Sequence, residues 1–359
     1  MPNANFLQQR LEERKSQNAF RELQLPAGKV DFCSNDYLGL AGIPEPVSGQ
    51  WKHGSAGSRL LAGNSALAEE TERFIAAFHR AEEALLFNSG YDANVGLMSC
   101  IAQKEDTIIY DFLSHASLRD GIKLSAAQAF SFRHNDLENL ESRLKAATGN
   151  VFVVTESVFS MDGDMAPLQQ IVQLCNQYGA NLVVDEAHAT GVVGETGEGL
   201  VQQLGLEAAC FARVHTFGKA VGCHGAVVLG SDQLRSYLIN FSRPFIYTTA
   251  LPESSIAVIR RSYEMFPQMQ QERMQLQQLI TQFQQAATRF EKLSSFTPIQ
   301  AVIVPGNDEV KQLAYTLQQA GLDVRPILYP TVPKNSERLR IVLHSFNTAD
   351  ELQLLLKLL

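Results

Sequence analysis

The feature that most constrains this 359-residue chain is an alternation, between residues 83 and 189, of short apolar runs and helical segments. The stretches "EALLFN", "DTIIYD", "AQAFSF", "NVFVVTES" and "ANLVVDEAH" read as strands. Helices are expected between them from about Asp92, near 117–124, around 136–146 and at 167–178. Such alternation predicts βαβ units and a mainly parallel sheet. Runs such as "VFVVTE" and "NLVVDE" are apolar on both faces, as central strands covered by helices on each side must be. Ahead of them lie an amphipathic helix over 5–23, a short strand at "VDFCS" and a helix opening at Ser65. From about 251 the pattern changes to a helical tract over 253–290, then "IQAVIVP", a helix at 308–320, "VRPILYP", "LRIVLHS" and a terminal helix. The expected fold is therefore α/β, with a smaller α+β domain at the C-terminus. The expected division is an N-terminal segment 1–45, a large domain 46–250 and a small domain 251–359.

Composition removes several function classes. A formal net charge of −8 disfavours nucleic acid, whose phosphates demand clustered Lys and Arg. No apolar run is long enough to span a bilayer, and the charged start "MPNANFLQQRLEERKSQNAFRELQ" lacks a secretory apolar core, so a cytoplasmic protein is expected. Five scattered cysteines without a C-x-x-C pair fit reduced thiols, and His215, Cys223 and His224 match no zinc spacing, so no metal is expected.

In an α/β sheet, ligands bind beyond the carboxyl ends of the strands, so polar residues that close an apolar run are the ones to inspect. Glu156, Asp185 and Lys219 occupy such places. Alone, Asp185 reads as a loop or N-cap carboxylate. Lys219, in "TFGKAVG", is costly to bury as an ammonium. Taken together the two suggest one ligand: a protonated heteroaromatic nitrogen facing Asp185 and an imine to Lys219, as pyridoxal phosphate provides. "FGKA" is no P-loop, because Ala220 stands where Ser or Thr should be, and "GVVGETGEG" lacks the dinucleotide spacing. Phosphate needs a helix N-terminus, and Ser89-Gly90-Tyr91 in "NSGYDAN" opens one after a strand, with the Thr216 hydroxyl as a second donor. His115, after another strand end, alone reads as a structural histidine, the alternative being a ring that lies flat on the ligand.

The ordered set "FCSNDYLGLA", "GSAGSRLLAGN", "FNSGYDANVG", "DFLSHASLRDG", "TESVFSMDGDMAPL", "VVDEAHATGVVG" and "TFGKAVG" resembles the α-oxoamine synthases over nearly the whole chain. These are fold-type-I pyridoxal-phosphate transferases, which implies a seven-stranded, mainly parallel sheet between helices. The resemblance implies Lys219 as the Schiff-base lysine, Asp185 as the partner of the pyridine nitrogen and His115 stacked on the ring. It puts His188 and Ser160 near the ring hydroxyl, and Ser89, Gly90, Tyr91 and Thr216 on the phosphate or ring side. Thr248 or Thr249 would reach the phosphate of a neighbouring subunit in a homodimer. Arg340 would hold the amino-acid carboxylate, with Arg338 the nearby alternative. Arg21 and Asn35 sit where the family handles its acyl substrate.

The family joins an amino acid to an acyl thioester with loss of carbon dioxide. The segments "RPFIYTTALP" and "YPTVPKNSERLRIVLHSFNT" favour the member that condenses L-alanine with a pimeloyl thioester, on coenzyme A or a carrier protein, in biotin formation. Rival readings are a 2-amino-3-oxobutyrate-CoA ligase, a serine-using acyltransferase, or a non-catalytic protein on the same fold. One departure stands out: "GIPEPVSGQWKH", residues 42–53, is shorter than the connecting helix of relatives, which bears on acyl binding.

Overall fold

The computed structural model describes residues 4–26, 28–43 and 49–359. Residues 44–48 of the shortened connection therefore lie outside the described residues. Contacts divide the chain into two units: Met1–Ser34, Met161–Asp164 and Met274–Leu359 in one, and Asn35–Ser160 with Met165–Arg273 in the other.

Strands are numbered along the chain as β1 (Val30–Asp31), β2 (Glu83–Phe87), β3 (Thr107–Asp111), β4 (Gln128–Phe132), β5 (Val151–Glu156), β6 (Asn181–Asp185), β7 (Cys210–Thr216), β8 (Ala226–Gly230), β9 (Glu291–Lys292), β10 (Ile299–Ile303), β11 (Leu322–Asp323), β12 (Arg325–Ile327) and β13 (Arg338–Val342). The larger unit holds one seven-stranded sheet in the order β2-β8-β7-β6-β5-β3-β4. Neighbours from β7 through β4 run parallel, whereas β8 is antiparallel to both β2 and β7. The expected mainly parallel α/β sheet is borne out.

Double-sided burial follows from the pleat, since alternate side chains point to opposite faces. Ile108, Val154 and Val183 enter one apolar cluster with Leu97, Met98 and Leu118, while Ile109, Val153 and Val184 enter another with Leu140, Ile171 and Val201. Helices α1 (Asn5–Ser16), α2 (Ala66–Phe78), α3 (Gly90–Met98), α4 (Ala116–Leu124), α5 (Leu137–Ala146) and α6 (Leu168–Tyr178) occupy the expected places. Their starts are written in short polar side chains: Ser65, Ser89 and Asp136 accept the amide N–H of Ala68, Asp92 and Asn139. Helix α1 is shorter than expected because Asn18 turns into the left-handed region at φ 50.

In the smaller unit β12-β13-β10-β9 form an antiparallel sheet, and β1 pairs with β11 in parallel. The N-terminal segment thus belongs with the C-terminal α+β elements rather than standing apart. The tract expected over 253–290 is two helices, Glu253–Met265 and Gln270–Gln285, separated by a turn at Phe266–Gln268. Pro267 explains the break, having no N–H for an i−4 carbonyl. The first of these helices packs on α2 within the larger unit, so the contact boundary falls at 273/274 where the sequence suggested 250/251.

Candidate active site

The carboxyl ends of β3, β5, β6 and β7 set out Asp111, Glu156, Asp185 and Thr216 along one edge. Asp185 is buried; its Oδ2 accepts from Asn94 Nδ2 at 2.7 Å and its Oδ1 from the Ala187 amide at 2.9 Å. Asn94 lies on α3, and its amide also reaches Ser117 Oγ at 3.0 Å. Asn94 Oδ1 is buried with no partner among the described residues.

Glu156 stands in register with Asp185 on the next strand and accepts the His115 backbone N–H at 2.5 Å. Burial pushes its carboxyl well above the usual carboxylate range, the Asp185 charge pushes the same way, and Lys219 opposes them. His115 caps α4, its Nδ1 lying 2.7 Å from Ser117 Oγ, while its ring is exposed. Desolvation lowers its basicity first, Lys219 adds to this, and the carboxylates of Asp185 and Asp120 counter it.

Lys219 sits in the loop 217–225 between β7 and antiparallel β8, whose ends meet at Thr216 and Ala226. Backbone bonds from Cys223 to Phe217 and from Gly222 to Lys219 tighten that loop. Glycine is required at 222: φ is +68, and a Cβ would come within 2.5 Å of the Ala41 nitrogen. Half-buried Lys219 places Nζ 2.8 Å from Nε2 of buried His188, and His188 Nδ1 is 2.6 Å from the buried Tyr37 hydroxyl.

Gly90, at the first position of α3, faces Thr216: a Cβ there would lie 3.0 Å from Thr216 Oγ1. The helix N-terminus and the hydroxyl are therefore adjacent, as the sequence reading required. Ser89 caps the helix, and half-exposed Tyr91 donates its phenol to Asp120 at 3.0 Å. Asn88, one residue earlier, donates to Thr248 Oγ1 at 3.0 Å and to the Thr249 carbonyl at 2.8 Å. Ser160 is half-buried after β5, and Asn35 accepts from the Tyr37 hydroxyl at 3.2 Å. In the other unit Arg340 is half-buried on β13, opposite Ala301 and Arg325, and exposed Arg21 reaches Thr331 Oγ1 at 3.4 Å. Arg338 is buried, bonded to the Ser336 carbonyl and ion-paired with Asp162.

These residues suit pyridoxal phosphate by their own chemistry. A buried carboxylate that still has lone pairs accepts a ring N–H⁺, an amine nearby forms an imine, and amides at a helix start with a hydroxyl take a phosphate. His115 is exposed, and Asn94 Oδ1 is a buried acceptor with no partner among the described residues, so both retain hydrogen-bonding capacity.

Residues 27–358 match the family described as aminotransferase class I and II. The chain belongs to this family. Within it, a curated 8-amino-7-oxononanoate synthase of Emericella nidulans is 43% identical over 98% of this chain and 93% of its own length. A solved 8-amino-7-oxononanoate synthase of Francisella tularensis superposes with a TM-score of 0.79 at 31% identity, covering 92% of this chain and 97% of that one. A serine palmitoyltransferase of S. paucimobilis with bound PLP and myriocin superposes at 0.88 with 26% identity, covering 100% and 97%. The resemblance to the α-oxoamine synthases drawn from motifs is borne out.

Three residues that the structure brings to this edge were not singled out from sequence as site residues. Tyr37 and Asn94 lie inside quoted motifs, "FCSNDYLGLA" and "FNSGYDANVG", but nothing local tells that they touch His188 and Asp185. Glu156 was marked as a strand end and given no task; its only signal was a carboxylate closing an apolar run.

Proposed function

We propose that this chain condenses L-alanine with a pimeloyl thioester, releasing carbon dioxide and the thiol, to give 8-amino-7-oxononanoate for biotin formation. The supporting observation is the 43% identity to a curated synthase over 98% of the chain, with an amine and a buried carboxylate present where that chemistry needs them. Bound pyridoxal phosphate supplies an electron sink conjugated to the amino acid's α-carbon.

The chain's own residues do the rest. Lys219 would hold the cofactor through its amine, and as a neutral amine would remove the α-proton of alanine and later return one. Asp185, held by Asn94 and the Ala187 amide, keeps the ring nitrogen protonated. Ser89, Gly90, Tyr91 and Thr216 serve the phosphate side. His188 and Ser160 would serve the ring hydroxyl, and His115 would cover the ring face. Arg340 takes the alanine carboxylate, because a planar guanidinium matches it bidentately. Arg21 and Asn35 handle the acyl chain, Thr248 or Thr249 completes the phosphate site of a second copy in a homodimer, and the enzyme works in the cytoplasm.

The test is borohydride reduction of the purified protein followed by peptide mapping, which should tag Lys219; Lys219→Ala should lose both the tag and turnover. A tag on another residue overturns the assignment. A panel of alanine, glycine and serine against pimeloyl, acetyl and palmitoyl thioesters then settles the substrates. Preference for serine with palmitoyl or glycine with acetyl would move the protein to another branch of the family.

A further inference from the structure

Lys219 and His188 form the start of a longer line of hydrogen bonds. From Lys219 Nζ it runs 2.8 Å to His188 Nε2, from His188 Nδ1 2.6 Å to the Tyr37 hydroxyl, and from that hydroxyl 3.2 Å to Asn35 Oδ1. The Tyr37 and His188 side chains are buried, and the Tyr37 amide donates to the Asn35 carbonyl at 2.8 Å, which fixes the turn that holds the terminal acceptor.

An amide carbonyl oxygen has no proton to give. With the phenol proton committed to Asn35, the phenol oxygen accepts from His188 Nδ1–H. A neutral imidazole carries one proton, so Nε2 keeps its lone pair toward Lys219.

We propose that Tyr37 and Asn35 act as positioning residues that hold His188 as its Nδ1–H tautomer, so that Nε2 takes a proton from the Lys219 ammonium. In that step one Nζ–H bond breaks and one Nε2–H bond forms. The positive charge passes from ammonium to imidazolium, and no other reactant is consumed. The imidazolium keeps its Nδ1–H bond to the Tyr37 oxygen. The carboxylate of Asp185 and the side chains of Glu156 and His115 share the electrostatic field of Lys219. This deepens the reading of Lys219 as the reacting amine and rests on it: a lysine must be neutral to form an imine or remove a proton.

The experiment uses the full-length protein freed of cofactor and labelled with ¹⁵N-histidine, read by two-bond ¹H–¹⁵N correlation. Wild-type His188 should show a protonated Nδ1 and a bare Nε2. Asn35→Ala removes the final acceptor, turns the phenol proton onto Nδ1 and should move the ring proton to Nε2. Tyr37→Phe keeps the ring volume and should give mixed tautomers, with kcat of the holoenzyme down about tenfold and KM for alanine within about twofold, on the scale of one lost hydrogen bond. A neutral wild-type His188 protonated on Nε2 with a bare Nδ1, or a tautomer unchanged in both variants, overturns the proposal. Borohydride tagging of Lys219 should survive in both variants; its absence from wild type would instead sink the reading of Lys219 and leave the tautomer result standing.

Discussion

Replacing Glu156 by Gln and, separately, by Ala tests whether its carboxyl is neutral in the folded enzyme. Oε1 takes the His115 amide at 2.5 Å, and the side chain is buried beside Asp185. Burial first, then the Asp185 charge, raise its affinity for a proton well above the ordinary 4.5. A protonated carboxyl still offers a carbonyl oxygen to that amide, and Gln offers the same in nearly the same volume. Glu156→Gln should therefore cost less than about 1 kcal/mol, whereas Glu156→Ala strands the amide and should cost about 1–3 kcal/mol. The pH dependence sharpens the distinction. Between the unfolded and folded proton affinities the native state holds a proton that the unfolded chain has lost, so wild-type stability falls by about 1.4 kcal/mol per pH unit as pH rises. That loss begins near 4.5 and ends at the raised folded value. Gln has no such slope, so urea midpoints should move in favour of Glu156→Gln as pH increases from 5 to 8. If Gln proves as damaging as Ala, or loses ground with rising pH, the carboxyl is ionised and the reasoning fails.

Glu186, fully buried one residue after Asp185, is pushed up to about 7 chiefly by burial. By the same sign argument wild-type stability should decline between about pH 4.5 and 7, and Glu186→Gln should flatten that decline in urea titrations. Asp185→Asn sets an amide NH₂ against one of two N–H donors, Asn94 or Ala187, and removes the charge. It should still take up cofactor but slow exchange of alanine's α-hydrogen in D₂O by on the order of 10²-fold, the cost typical of losing one preorganised electrostatic partner.

Most of the sheet and its edge was legible because periodicity is local. β5 and β6 are apolar on both faces, so their place in the middle of a covered sheet follows from the runs themselves, and Glu156 and Asp185 mark where those runs stop. The break at Pro267 was not read from the sequence, because the tract around it carries helical residues on both sides, and periodicity alone could not show that its first half packs on α2. Contacts were less legible than positions. Tyr37 meets His188 across 151 residues and Asn94 meets Asp185 across 91, pairings that only the folded chain creates. Arg338 and Arg340 show the same limit: two residues apart on one strand they read alike, and nothing in that strand announces the ion pair between Arg338 and Asp162.

Asn94 links these observations into one geometric argument. It lies five positions after Ser89, the cap of α3, which at 1.5 Å per residue is about 7.5 Å along the helix axis. One end of that interval presents amide N–H groups next to the Thr216 hydroxyl, and the other holds Asp185. The phosphate-side donors and the carboxylate that would face a ring nitrogen are thus spaced by a single rigid helix rather than by two loops. Ser117, bonded to both Asn94 and His115, ties the start of α4 to the same spacer. A helix that sets the separation needs its first turn close against β7, and the glycine at position 90 serves that closeness: a Cβ would lie 3.0 Å from Thr216 Oγ1, so Thr216 would have to shift by a few tenths of an ångström.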